Sequence, residues 1–190
     1  MTAALGIQHC GLSAGRRPRA PVGVAGRYGG GVPRHRHPSS PAYAEVRAIL
    51  ERPWLVDVAV LEGMAHDAHE RAGLAEPFAG GSGLILAAHL GYVVIPRQDV
   101  GCGVGGLLPG VLLVRASADD LRWNLRVLHE LSHALLDAGA PHHSHADAWA
   151  LTLALAVPRR TYRRHPDARH VPRWAVALRR LTALAVARAA

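Results

Sequence analysis

The chain has little of several things, and each shortage excludes something. Of its 190 residues only two are cysteine, Cys10 and Cys102, far apart and in no C-x-x-C pair. That argues against a disulfide framework or a thiolate metal site, and it suits a reducing cytoplasm. Aromatics make up 5% and phenylalanine occurs once, so Ala, Leu and Val must fill the core that a 49% hydrophobic content allows. Lysine is absent, and all 22 basic residues are arginine. No run of 18 apolar residues occurs, and no charged start leads into an apolar stretch, so neither a membrane span nor a signal peptide is expected. The glycine-rich run Gly101–Gly106 lacks a following Lys-Ser/Thr and does not open a helix, which sets a phosphate-binding loop aside.

Charge is unevenly spread. Residues 1–40 hold six arginines and no acid, and are rich in Gly, Pro and Ser. They are read as a disordered basic arm, because they cannot bury enough apolar surface to offset the entropy of ordering. Residues 41–158 are net acidic, and the stretch after them is strongly basic again. The division read from this is an arm at 1–40, a catalytic domain at 41–160 and a basic C-terminal helical tail at 161–190.

Against these shortages stands one five-residue word, His129-Glu130-Leu131-Ser132-His133. By composition it would arise by chance roughly 0.03 times in such a chain, so it is treated as signal. Leu121, Leu125, Leu128, Leu131 and Leu135 recur around it at helical spacing, with Ser117 and Asp120 as a capping box and Gly139 as a stop. On a helix, positions i and i+4 share a face, so His129 and His133 can present two imidazoles to one metal ion. Glu130 beside them can take a proton from a water that the metal activates. Ser132 reads as a small helix residue, since no partners for serine catalysis are visible.

A catalytic zinc takes three protein ligands and leaves a position open. The metzincin extension is absent, because Leu136 and Gly139 stand at its Gly and third-His positions. The third ligand is expected from the next segment, where His142, His143, His145 and Asp147 crowd together. Asp147 is also a candidate to hold the tautomer of a ligand histidine.

Elsewhere, helices are expected over Ala42–Leu50, Val56–Ala72, Leu84–Leu90, Ala146–Val157 and Pro172–Ala189. Gly73–Gly83 reads as a loop. Tyr92–Ile95 reads as a strand stopped by Pro96, and Val104–Leu108 with Val111–Arg115 as a hairpin around Pro109-Gly110. The last helix carries Trp174, Leu178, Leu181 and Leu184 on one stripe, for docking on the body.

The order of these elements resembles the ImmA/IrrE-type metallopeptidases. In that family a segment like Arg122–Leu128 runs into the H-E-x-x-H, and a second helix of pattern E-x-x-A-N-x-F-A-A-x-L-L-M-P follows. Here Ala148 and Pro158 match that helix, and His145 stands where the family has its ligand Glu. Leu84–Leu90, Gly91 and Tyr92–Ile95 also look like the family's helix, Leu-Gly and strand. The resemblance covers about residues 42–160.

It implies an α+β, mostly helical, zincin-like domain with a small antiparallel or mixed sheet beside the H-E-x-x-H helix. It also implies Zn²⁺ held by His129, His133 and His145, with Asp147, His142 and His143 as alternatives, and Glu130 as general base. The substrate implied is a helix-turn-helix repressor, cleaved to switch on stress-response or mobile-element genes. The competing reading is a non-proteolytic zincin-like regulator that binds a repressor or nucleic acid through its basic ends.

Overall fold

Helix starts follow the capping chemistry of the sequence. In the computed structural model, which describes residues 40–73, 83–101, 109–158 and 171–189, α1 (Pro41–Leu50) opens on a proline behind Ser40. The second helix, α2 (Val58–Arg71), opens on Asp57, whose Oδ1 accepts from the Ala59 N–H at 2.6 Å. The long α4 (Asp120–Gly139) is capped by Asp119, which accepts from the Arg122 N–H at 2.9 Å. The cap therefore lies two residues beyond the expected Ser117, because a carboxylate stands where it can reach the third helical N–H. α5 (His145–Ala156) opens on Ser144 with a full capping box to Asp147.

α3 (Gly83–His89) ends on Gly91, whose φ of 85° lets the chain turn back. The Tyr92 N–H then bonds Ala87 O at 2.8 Å and the Gly91 N–H bonds Ala88 O at 3.0 Å, the pairing of a Schellman motif. At its other end the Gly83 N–H donates to Asn124 Oδ1. A Cβ at Gly83 would come within 2.9 Å of Asn124 O and 3.0 Å of Leu128 Cγ, so this contact with α4 needs glycine.

The sheet is a two-stranded parallel pair, β1 (Val93–Arg97) and β2 (Val111–Arg115), in the register Val93↔Val111 to Arg97↔Arg115. This corrects the antiparallel or mixed expectation. Residues 98–110 are far more than a tight hairpin needs and enough for a crossover, which takes about a dozen. The run Val-Leu-Leu-Val of β2 has the continuous apolar character of a buried parallel strand. Leu112 and Val114 are fully buried, while Val93 and Ile95 on β1 are exposed. Of the expected hairpin, Val104–Leu108 lies outside the described residues, and Val111–Arg115 pairs with β1 instead.

β1 also runs through Pro96 rather than stopping there. Val93 donates to Gly110 O at 2.8 Å and Arg97 O accepts from the Ala116 N–H at 2.7 Å. The odd-numbered residues thus carry the ladder, and Pro96, on the alternate phase of an edge strand, gives up no bond.

α4 packs against β2, α3 and α5. Of its expected apolar stripe, Leu125, Leu128 and Leu131 are buried, with Leu136 joining them, while Leu121 faces solvent. α5 is mostly apolar and buried except at exposed His145 and half-buried Trp149, with α1, α2, α4 and the last helix, α6 (Arg173–Ala189), around it. Each fully buried leucine there, Leu151, Leu153 and Leu155, contributes about 1.5–3 kcal/mol.

α6 buries Trp174, Ala175 and Leu178 as its stripe requires, but Leu181 is 49% exposed and Arg179 is buried in its place. The basic arm at 1–39 and most of the loop at 73–83 lie outside the described residues. No helix among the described residues is long and apolar enough to cross a membrane.

Candidate metal centre

Two helices build the site. α4 carries His129 and His133 one turn apart, and α5 carries His145 as its first residue. The extended backbone of Ser144 and its capping box with Asp147 set how His145 enters the helix.

His129 Nε2 and His145 Nε2 are 3.0 Å apart, and one ring nitrogen from each of His129, His133 and His145 lies within 4.8 Å of the others. Two nitrogens on a tetrahedral zinc, with bonds of about 2.0–2.1 Å, sit about 3.3 Å apart. The three residues could therefore hold a single metal ion after a small readjustment, the 3.0 Å pair opening slightly. His129 is buried, His133 half-buried and His145 exposed, so the cluster starts in the core and opens to solvent on the α5 side. Glu130, between the two α4 histidines in sequence, is also buried.

The surroundings keep these rings neutral. Burial, and then the neighbouring His133 and His145, hold His129 well below the ordinary imidazole range. Burial, followed by His143 and His145, pushes His133 down to about 4, against a smaller opposing pull from Asp137. His145 is lowered by burial and then by the Arg52 guanidinium, with Glu45 opposing. Neutral imidazole is the form that ligates a metal. Trp149, one turn after His145, stacks on the His129 ring with centroids 4.2 Å apart and planes at 26°.

The alternative ligands have other work. Asp147 is fully buried, and its carboxylate accepts from the Leu55 and Val56 N–H groups at 3.2 and 3.3 Å and from the Ser144 N–H and hydroxyl at 2.6 and 2.8 Å. It ties the α1–α2 turn to the start of α5. It is neither a ligand nor the holder of an imidazole tautomer, because its oxygens are already saturated with backbone donors. His142 is exposed. His143 contacts His133 Nδ1 at 3.2 Å instead of joining the cluster. Ser132 is not idle, since it donates to Leu128 O at 2.8 Å and meets Thr152 Oγ1 at 3.1 Å.

The sequence reading missed Trp149 and Thr152. Their signal was spacing: positions 145, 149 and 152 form an i, i+4, i+7 stripe on one face of α5.

No family model, curated protein or solved structure matches the chain. The likeness to ImmA/IrrE-type enzymes rests on the residues quoted above, and the metal centre rests on its own geometry.

Proposed function

We propose that the protein is a zinc-dependent endopeptidase with Glu130 as general base, acting on a regulatory protein of the repressor type. The observation that carries this reading is the convergence of His129, His133 and His145 at a cluster open to solvent on one side, with a buried carboxylate in the same helical turn. A structural zinc site is closed by four protein ligands, whereas a catalytic one has three and an open position. The donor set, three imidazoles and no thiolate, suits zinc as it also suits copper, iron or nickel.

Zinc bound there would supply a Lewis acid for the scissile carbonyl and lower the pKa of the attacking water. Glu130 takes the proton from that water and returns it to the leaving amide nitrogen. Three neutral imidazoles would leave the charge of a bound ion undiminished, unlike a ligand set that includes Glu. Arg52 and Glu45 lie near His145, close enough to shift its titration.

The test is Glu130→Gln in the full-length protein, with zinc measured by elemental analysis and cleavage measured on a panel of helix-turn-helix repressors. Zinc content should match wild type, while cleavage falls by roughly 10²–10⁴, the size of a general-base contribution. Wild type that takes up no zinc on reconstitution, or Glu130→Gln that cleaves as wild type does, overturns the reading. An unchanged cellular phenotype with Glu130→Gln would favour the non-proteolytic regulator.

A further inference from the structure

Both α4 histidines have their second ring nitrogen held, and the proton bookkeeping of each holder ends on a backbone carbonyl. His129 Nδ1 lies 3.0 Å from Thr152 Oγ1. That hydroxyl has one proton and three neighbours: Ala148 O at 2.7 Å, Ser132 Oγ at 3.1 Å and His129 Nδ1. A carbonyl can only accept, and the shortest contact claims the proton for Ala148 O. Thr152 Oγ1 is then an acceptor toward the ring, so His129 carries its proton on Nδ1.

The second case runs in parallel. His143 Nδ1 lies 3.2 Å from Ala140 O and 3.8 Å from Asp137 Oδ1, both of which only accept. With a proton committed there, His143 offers Nε2 as an acceptor, and that atom is 3.2 Å from His133 Nδ1. His133 therefore also carries its proton on Nδ1.

We propose that Thr152 and His143 are positioning residues that set the Nδ1–H tautomer of His129 and His133, so that both rings turn an Nε2 lone pair toward the same point. The metal consequence rests on the zinc reading; the tautomers do not. Neither holder is a carboxylate, so neither raises ligand basicity as an acidic partner does. Thr152 is fully buried, which leaves water no access to replace its hydroxyl if it is removed.

Zinc affinity of the full-length protein, read by competition with a chromophoric chelator, tests the proposal. Thr152→Val keeps the shape and removes the acceptor, and should weaken zinc 10–100-fold, the usual effect of losing such a partner. Thr152→Ser should recover wild-type affinity to within about threefold, because the hydroxyl returns. His143→Leu should weaken zinc similarly and His143→Gln should not, since a Gln carbonyl can accept from His133. ¹⁵N-edited NMR of the imidazoles in chelator-treated wild type should show Nδ1–H on both His129 and His133.

Thr152→Val binding zinc like wild type, or Thr152→Ser as weak as Thr152→Val, overturns the proposal for Thr152. His143→Gln as weak as His143→Leu overturns it for His143. If Thr152→Val does not fold, the NMR spectrum decides: Nε2–H on either ring of wild type refutes the assignment. The same spectrum decides if wild type binds no zinc, so failure of the metal reading and failure of this one are separable.

Discussion

The two ends of α5 handle buried polar groups in opposite ways. At the C-terminal end Arg179, 1% exposed, donates through Nε to Val157 O at 2.9 Å and through both terminal nitrogens to the Glu62 carboxylate, at 2.5 and 2.8 Å. Every formal charge there meets its opposite, and the cation stands at the helix end where the dipole favours it. At the N-terminal end Asp147 is similarly matched by backbone donors, but beside it three imidazoles converge on one another. Burial first, and then the neighbouring rings, make protonation of His129 and His133 unfavourable, so these imidazoles are held as neutral bases. Under the zinc reading these neutral lone pairs would accept a cation, whereas one arriving at the Arg179 clasp would meet a cation already in place. Charge pairing at one end and clustered neutral bases at the other are therefore different chemistry on one helix.

Removing the clasp should have the largest effect. Arg179→Ala leaves the Glu62 carboxylate, 15% exposed, without its partner and takes a donor from Val157 O. Breaking a buried pair in this way costs about 3–5 kcal/mol, to be read by denaturant unfolding. The clasp is remote from the histidines, so the fraction that stays folded should bind zinc as wild type does. Loss of zinc affinity in that folded fraction would show that the two ends are not independent.

Asp147→Ala comes next. Several backbone donors lose a charged acceptor, worth about 2–3 kcal/mol, and the α1–α2 turn is released from the start of α5. Here zinc affinity should fall as well, because His145 is placed by the same cap. If stability drops and zinc affinity does not, the capping box is not what positions His145.

How much of this could be read in advance differs between the two ends. The convergence of His129 and His133 was legible because a helix puts i and i+4 on one face, and the motif is confined to five residues. His145 needed only a short connection after Gly139. The Arg179–Glu62 pair was not legible: its members are 117 positions apart, and Arg179 sits among arginines that look alike as letters. Only its place beside Leu178 on a docked face selects it. Asp147 was misread for a related reason. Within a His-rich cluster a carboxylate looks like a ligand, and nothing local reveals that Leu55 and Val56, more than 90 positions upstream, present their N–H groups to it. The strand direction failed because residues 98–110 contain a turn signal, while pairing was decided by where β1 and β2 meet across that segment.

The smallest predicted effect is on pH, and it distinguishes rings held neutral by the fold from ordinary surface histidines. In the unfolded chain each imidazole takes up a proton as pH falls through about 6.5. In the folded protein His133 resists until about 4, and His129 is also held well below its ordinary value. Between these limits the unfolded state binds more protons, so lowering the pH favours it and stability falls. In chelator-treated protein the melting temperature should decline from pH 6.5 to 5, above the range where most carboxylates titrate. The decline should be shallower in His133→Gln, which removes one of the rings. Zinc affinity should be much less sensitive over the same interval. Because the folded-state ligands are already deprotonated, the ion displaces little proton from His129 and His133, and their contribution to affinity should stay nearly level until pH approaches 5. A zinc affinity that instead drops steeply from pH 6.5, with a melting temperature flat to pH 5, would mean that these histidines titrate as they do in water. The contrast between the two ends of α5 would then lose its electrostatic basis.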